Sequence, residues 1–169
     1  MADFNYRLQK AEMWDYEFLL EVYSSTRETE MAQTGWDRKS IDEFLHLQYK
    51  LQNTQYHHNF PKASYDIIFQ GNDGVGRLYV NRGKGEIRII DISLLTEYRN
   101  KGYGTKIIKD IITEADLHGL PVRLSCERKN NPALNLFKRL GFNIIGETEV
   151  YYEMEHPAPS LLNKEKQKK

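Results

Sequence analysis

The chain has 169 residues, enough to close one hydrophobic core and short for two. Its 24 basic residues balance 24 acidic ones, which excludes a global charge steering it toward nucleic acid or an anionic membrane surface. A single cysteine, Cys126, excludes an internal disulfide, and no apolar run reaches the length of a secretory leader or the roughly 20 residues of a membrane span, so the expected compartment is the cytoplasm.

Phe4, Tyr6 and Leu8 alternate with polar neighbours, the period of a half-buried first strand. From Asp15, a suitable N-cap, Phe18, Leu19, Val22 and Tyr23 recur at helical spacing and predict a helix to about Ser24. Gly35 and Trp36 break the pattern. Ser40 with Glu43 then reads as a capping box ahead of Phe44, Leu45, Leu47 and Leu51, predicting a second helix over about 41–56. Past Pro61, residues 65–69 read as a strand that turns at 71–74 into a hairpin partner over 76–80. A further turn at 83–85 leads into Glu86-Ile87-Arg88-Ile89-Ile90-Asp91-Ile92, a β-branched run expected at the sheet centre and buried on both faces.

Ile107, Ile108, Ile111, Ile112 and Ala115 mark a helix from Gly102 or Tyr103 to near Gly119, a fitting C-terminal cap. Residues 121–126 form the next strand. Asn131-Pro132 opens a helix with proline in its first turn, Ala133, Leu134, Phe137 and Leu140 on its apolar stripe and Gly141 at its end. Residues 142–145 and 150–154 read as strands about a turn at Gly146. The order predicts an α/β (α+β) fold, a mixed, largely antiparallel central sheet flanked by helices, in a single domain over 1–156. The polar tail over 157–169 has little to bury and is expected to be disordered.

The stretch that carries chemistry is Leu94 to Thr105, which joins the expected central strand to a helix start. Gly102 and Gly104 allow a tight turn and close approach of a ligand to the backbone, and the first amides of the helix, with its dipole behind them, form an anion site. Arg99 and Lys101 add positive charge there, which suits a pyrophosphate. The same two glycines could instead merely relax a turn. A dinucleotide fingerprint would need a third glycine and a later acidic residue, and a P-loop would need Gly-Lys followed by Ser or Thr; the sequence has neither. No metal-ligand spacing and no serine-hydrolase elbow occurs.

Arg99-Asn100-Lys101-Gly102-Tyr103-Gly104 resembles the signature of the GNAT superfamily of acyl-CoA-dependent N-acyltransferases: Gln or Arg, two residues, Gly, one residue, then Gly or Ala. Asn130 to Phe142, closing in Leu140-Gly141-Phe142, is similar to the later helix of that family. The resemblance extends loosely over 4–154. It implies an acyl-CoA N-acyltransferase-like fold that moves an acetyl group from acetyl-CoA to a primary amine of a small molecule or protein, with no metal. The balanced charge and the lack of an apolar span lead to the expectation of no nucleic-acid or membrane partner, and a monomer or homodimer is expected.

By matching position, the resemblance implies that Ile92, Leu94 and Thr96 line the pantetheine cleft, that an amide near Leu94 bonds the acetyl carbonyl, and that Arg99, Asn100, Lys101, Gly102, Tyr103, Gly104 and Thr105 hold the pyrophosphate. Asn130 or Asn131 would meet the pantetheine, with an N-cap role open for either. The family commonly places a tyrosine at the position of Phe137 to protonate the departing thiolate. Phenylalanine cannot, which leaves open an acyl-CoA-binding module with little or no transferase activity. Asp91 interrupts a strand expected to be buried, so it must be partnered or face the cleft. It is the first candidate to order or deprotonate the acceptor, a carboxylate bonded to a neighbouring loop being the alternative. Glu86 is the second. Glu28 and Glu30 could attract a cationic amine and Trp36 could wall its apolar part.

Overall fold

The computed structural model describes residues 4–159, and of the expected disordered tail 160–169 lie outside the described residues. The strands are β1 (Arg7–Lys10), β2 (Ser64–Gln70), β3 (Asp73–Arg82), β4 (Ile87–Leu94), β5 (Val122–Glu127), β6 (Asn143–Glu147) and β7 (Tyr151–His156). The helices are α1 (Tyr16–Ser25), α2 (Glu28–Ala32), α3 (Arg38–Asn59), α4 (Tyr103–Leu117) and α5 (Asn131–Arg139). The strands form one mixed sheet in the order β1-β2-β3-β4-β5-β7-β6. β4 and β5 pair in parallel, whereas β1 with β2, β5 with β7 and β6 with β7 are antiparallel. The α/β architecture read from the order of elements is therefore the one observed.

The backbone divides into two compact units. The first runs up to Tyr79 and takes in Asp91–Gly102; the second holds Val80–Ile90 and the described residues from Tyr103 on. In the first, Leu8 stands opposite Ile68 in the β1/β2 ladder, and Leu19, Tyr23, Met31, Leu45, Tyr49 and Ile67 form a core under α1, α2 and α3. In the second, Ile107, Ile108, Ile111 and Ala115 of α4 are buried, as are Val122, Leu124, Leu134, Phe137, Phe142 and Met154. Each fully buried aliphatic or aromatic side chain contributes about 1.5–3 kcal/mol relative to exposure.

Several local expectations are corrected. The first strand begins at Arg7 instead of Phe4, since Phe4 and Tyr6 stack on each other at 5.6 Å ahead of the ladder. Between the first helix and Gly35 lies an element not expected from the sequence, the short helix Glu28–Ala32, which buries Met31. The second long helix starts earlier, because the Asp37 carboxylate accepts the Ser40 amide at 2.8 Å and takes the capping role assigned to Ser40. Its buried face also differs from the expected one. Leu47 and Leu51 are exposed, whereas Leu45 and Tyr49 are buried. Glutamine and tyrosine hold the inner face farther along because a buried charge opposite needs their polar atoms. β4 is not buried on both faces: Ile87 and Ile89 are buried, but Arg88 is half-buried and ion-paired to Glu153 and Glu86. Gly146 does not turn the last pair; it lies inside β6 beside a register irregularity, and the turn follows Glu147.

Candidate active site

The end of β4 and the loop after it carry the densest polar chemistry of the first unit. Arg77, from the otherwise apolar middle of β3, is 2% exposed. A buried guanidinium must be paired, and this one is paired twice. Its Nε donates to Asp91 Oδ1 at 3.1 Å and its Nη2 donates to Asp91 Oδ2 at 2.9 Å, while Nη2 also donates to Gln52 Oε1 at 2.8 Å. The Tyr79 ring lies 4.9 Å from the guanidinium carbon. Burial works against the Arg77 charge, but the attraction of Asp91 more than restores it, and the guanidinium is held in its charged form more firmly than usual.

Asp91 receives two further donors: the Ser93 hydroxyl at 2.7 Å on Oδ1 and the Tyr56 hydroxyl at 3.2 Å on Oδ2. The partner that a carboxylate in this strand required is thus Arg77, joined by Tyr56 from the end of α3. Tyr79 and Tyr49 sit in the same polar cluster, and burial pushes both phenols up from their ordinary value, Tyr49 the more strongly. Glu86 lies apart, in the second unit just before β4, between Arg88 at 3.4 Å and Arg123 at 3.9 Å.

β3 and β4 approach unusually closely here. The Leu95 amide donates to the Val75 carbonyl at 2.9 Å, and a Cβ on Gly76 would stand 2.2 Å from the Ser93 carbonyl oxygen. The chain then makes a single 3-10 turn at Thr96–Tyr98 and reaches Arg99, whose Nε donates to the Leu94 carbonyl at 2.9 Å and whose Nη2 donates to Ser25 Oγ at 3.1 Å. Arg99 thereby braces the loop, and Lys101 is the exposed cation beside it. Asn100 and Gly102 both have positive φ, 58° and 91°, which turns the chain sharply into α4 at Tyr103. Tyr103 is buried, and Gly104 and Thr105 are half-buried in the first turn.

Gly104 has no packing reason to lack a side chain, since an added Cβ would meet only Leu136 Cδ2, at an ordinary 3.8 Å. Its bareness suits an approaching ligand at amides that have no intrahelical partner. In α5, the Asn130 side chain accepts the Ala133 amide at 3.3 Å as N-cap, and Asn131 opens the helix exposed. Phe137 is buried, with its ring 5.7 Å from Phe142.

A groove of about 650 Å³ lies within the first unit, floored by Leu20, Met31, Ile41, Leu45 and Leu95. Glu17, Glu21, Glu28 and Glu97 line it, as do Ser25, Thr96 and Arg38, the last ion-paired to Asp42 at 3.1 Å. Of the three residues expected to meet an acceptor, Glu28 lines this groove. Glu30 instead pairs with Arg27 at 3.5 Å, and Trp36 packs edge-on against Phe44 at 5.4 Å with about half of its surface exposed. Among the described residues no group of three or more His, Cys, Asp or Glu could hold a metal, and no helix is long and apolar enough to cross a membrane.

The residues that sequence reasoning missed are Arg77, Ser93, Glu17, Glu21 and Glu97. Arg77 had a legible signal, a lone cation in a run of Val75, Leu78, Tyr79 and Val80 that demanded a buried anion such as Asp91.

The model of the acetyltransferase (GNAT) family matches residues 17–142. Over 72 residues the chain is 32% identical to a probable N-acetyltransferase, san, of Drosophila melanogaster; the match covers 41% of this chain and 39% of that protein. The fold resembles the crystal structure of the PaiA N-acetyltransferase of Thermoplasma acidophilum in complex with coenzyme A, with a TM-score of 0.67 and 16% identity over 90% of this chain and 99% of that one. It also resembles the ribosomal-protein-S18-alanine N-acetyltransferase of Escherichia coli, with a TM-score of 0.57 and 15% identity over 92% of this chain and 96% of that one.

Proposed function

We propose that this chain, which belongs to the acetyltransferase (GNAT) family, is an N-acetyltransferase that uses acetyl-CoA to acetylate a primary amine. The observation that carries the reading is the opening of α4: two left-handed residues, Asn100 and Gly102, a bare Gly104 and the exposed Lys101 set the first-turn amides and a cation at one helix start. That arrangement fits the pyrophosphate of coenzyme A. Residues 1–156 are read as one catalytic domain, supported by the single family model that matches 17–142.

When bound, acetyl-CoA supplies an activated acyl thioester. The chain's own residues would do the rest. Amides of Tyr103, Gly104 and Thr105 hold the phosphates, with Lys101 adding charge and Arg99 bracing the turn through Leu94 and Ser25. Ile92, Leu94 and Thr96 line the path of the pantetheine, and an amide near Leu94 bonds the acyl carbonyl. Because Asn130 already caps α5, Asn131 is the freer of the two asparagines to meet the coenzyme. The groove rimmed by Glu17, Glu21, Glu28 and Glu97 takes the acceptor, its carboxylates drawing a protonated amine to the apolar floor. Phe137 cannot protonate the departing thiolate, so water or the acceptor's own proton serves.

Thiol release measured across a panel of amines, beside a calorimetric titration with coenzyme A, tests this. Saturable coenzyme binding with release for at least one amine is expected. Binding with no release for any amine would favour the alternative, a coenzyme-binding module on the same scaffold, and absence of binding would remove both.

A further inference from the structure

We propose that Arg77, acting through Asp91, is a positioning residue that fixes the backbone at the end of β4 for acyl transfer; this rests on the reading above, in which an amide near Leu94 faces the acyl carbonyl. Three consecutive residues of β3 hold that segment, each by a different contact. Val75 accepts the Leu95 amide at 2.9 Å. Gly76 presses its bare Cα against the Ser93 carbonyl, where a Cβ would come within 2.2 Å. Arg77 closes a two-point fork on Asp91, and the Ser93 hydroxyl donates back to the same carboxylate at 2.7 Å.

The design of the pair argues for orientation. A planar guanidinium held by two donors to one carboxylate, by a third contact to Gln52 and by the face of Tyr79 can adopt essentially one pose. Asp91 inherits that pose. A buried ion pair is weak evidence for stability, since well-packed apolar residues commonly hold a fold at least as well. What it adds is direction. Strand alternation puts Asp91 and Ser93 on one face of β4 and Ile92 and Leu94 on the other, so the clamp sets the strand end from the side opposite the residues assigned to the coenzyme. Asp91 is then no general base. Both of its oxygens are occupied by donors, two from Arg77, one from Ser93 and one from Tyr56.

The expected signature is a loss of turnover without a loss of coenzyme affinity. In Ser93→Ala, which leaves the ion pair intact, kcat should fall about tenfold, as expected for one hydrogen bond to a charged group. The Kd for coenzyme A should stay within about twofold of wild type and the melting temperature within about 2 °C. Hydrogen exchange of the Leu94 and Leu95 amides in the coenzyme-free protein should quicken by a similar factor. Arg77→Lys should repeat this with a larger fall in kcat, because an ammonium cannot reproduce the fork. In Asp91→Asn the pH profile of the residual kcat should keep its acid limb.

Wild-type turnover and exchange in Ser93→Ala would overturn the proposal, and should Arg77→Lys fail to fold, Ser93→Ala still decides it. Loss of the acid limb in Asp91→Asn would make Asp91 the base and also overturn it. If wild-type protein bound no coenzyme, the proposed function would fall, while unchanged exchange in Ser93→Ala would separately refute the clamp.

Discussion

Gly76 and Ser93 touch through backbone alone: the carbonyl oxygen of Ser93 occupies the space where a side chain on Gly76 would begin, 2.2 Å from an ideal Cβ. Real Cβ atoms do not come so close to a backbone oxygen, so Gly76→Ala must push β3 and β4 apart. The expected result is a destabilisation of about 1–3 kcal/mol in urea unfolding, with acetyl transfer reduced more than the stability loss alone explains. Wild-type stability would show that the two strands can yield.

The Arg77–Asp91 pair predicts an asymmetry between breaking and replacing. Asp91→Ala leaves a guanidinium that is 2% exposed without its anion, which should cost about 3–5 kcal/mol. Combining Arg77→Met with Asp91→Leu removes both charges and should recover most of that loss in thermal unfolding. It should not recover turnover. A double variant as unstable as Asp91→Ala would mean that the pair itself holds the fold.

At the opening of α4 the two glycines should behave differently. Gly102 has φ of 91° with open space around it, so Gly102→Ala is strained by conformation rather than by contact. Gly104→Val adds bulk where the chain has room but a phosphate would lie. Both should weaken coenzyme A binding in calorimetry, by about tenfold or more, and only Gly102→Ala should also lower the melting temperature.

Asp37 gives a pH test. Hydrogen bonds from the Ser40 side chain and amide hold its carboxyl below the ordinary 3.8. A lowered native value means that the ionised cap adds stability at pH above the unfolded value and loses that contribution as pH falls through the native one. The stability gap between wild type and Asp37→Ala should therefore be full at neutral pH and narrow below about pH 3.8. A gap that is constant with pH would show that the charge is irrelevant to capping.

Reversing charge at Glu28 and Glu97 tests the groove proposed to take the acceptor. Glu28→Lys and Glu97→Lys should each raise KM for a cationic amine severalfold, with the effect shrinking as salt is added, while coenzyme A affinity is unchanged. An uncharged amine should not register either substitution.

Turns and helix starts set by contiguous residues are legible in the sequence, whereas contacts assembled across elements are not. The run from Arg99 to Gly104 and the helix closing in Leu140-Gly141-Phe142 could be read because local spacing fixes where backbone amides and turns fall. The anomaly at Asp91 could be flagged, because an acid in a β-branched strand needs a partner, but nothing in the spacing from 77 to 91 names Arg77. The inner face of α3 was misassigned for the same reason: leucine outranks glutamine and tyrosine on apolarity, yet Gln52 and Tyr56 turn inward to serve the charge pair. Glu17, Glu21 and Glu97 read as solvated charge until folding brings them around one apolar floor.

The three unlike contacts from Val75, Gly76 and Arg77 also bear on how the strands find each other during folding. Side chains alternate along a strand, so a slip of one residue between β3 and β4 would carry the guanidinium to the wrong side, bring a Cβ against the Ser93 carbonyl and misplace the Val75 acceptor at once. A slip of two residues would bring Gly74 and the Asp73 carbonyl to the same places, yet it would still leave Asp91 without the guanidinium. The glycine and the arginine thereby act as a lock on strand alignment, and insertions or deletions within 75–77 should be tolerated far less than elsewhere in the hairpin that contains them.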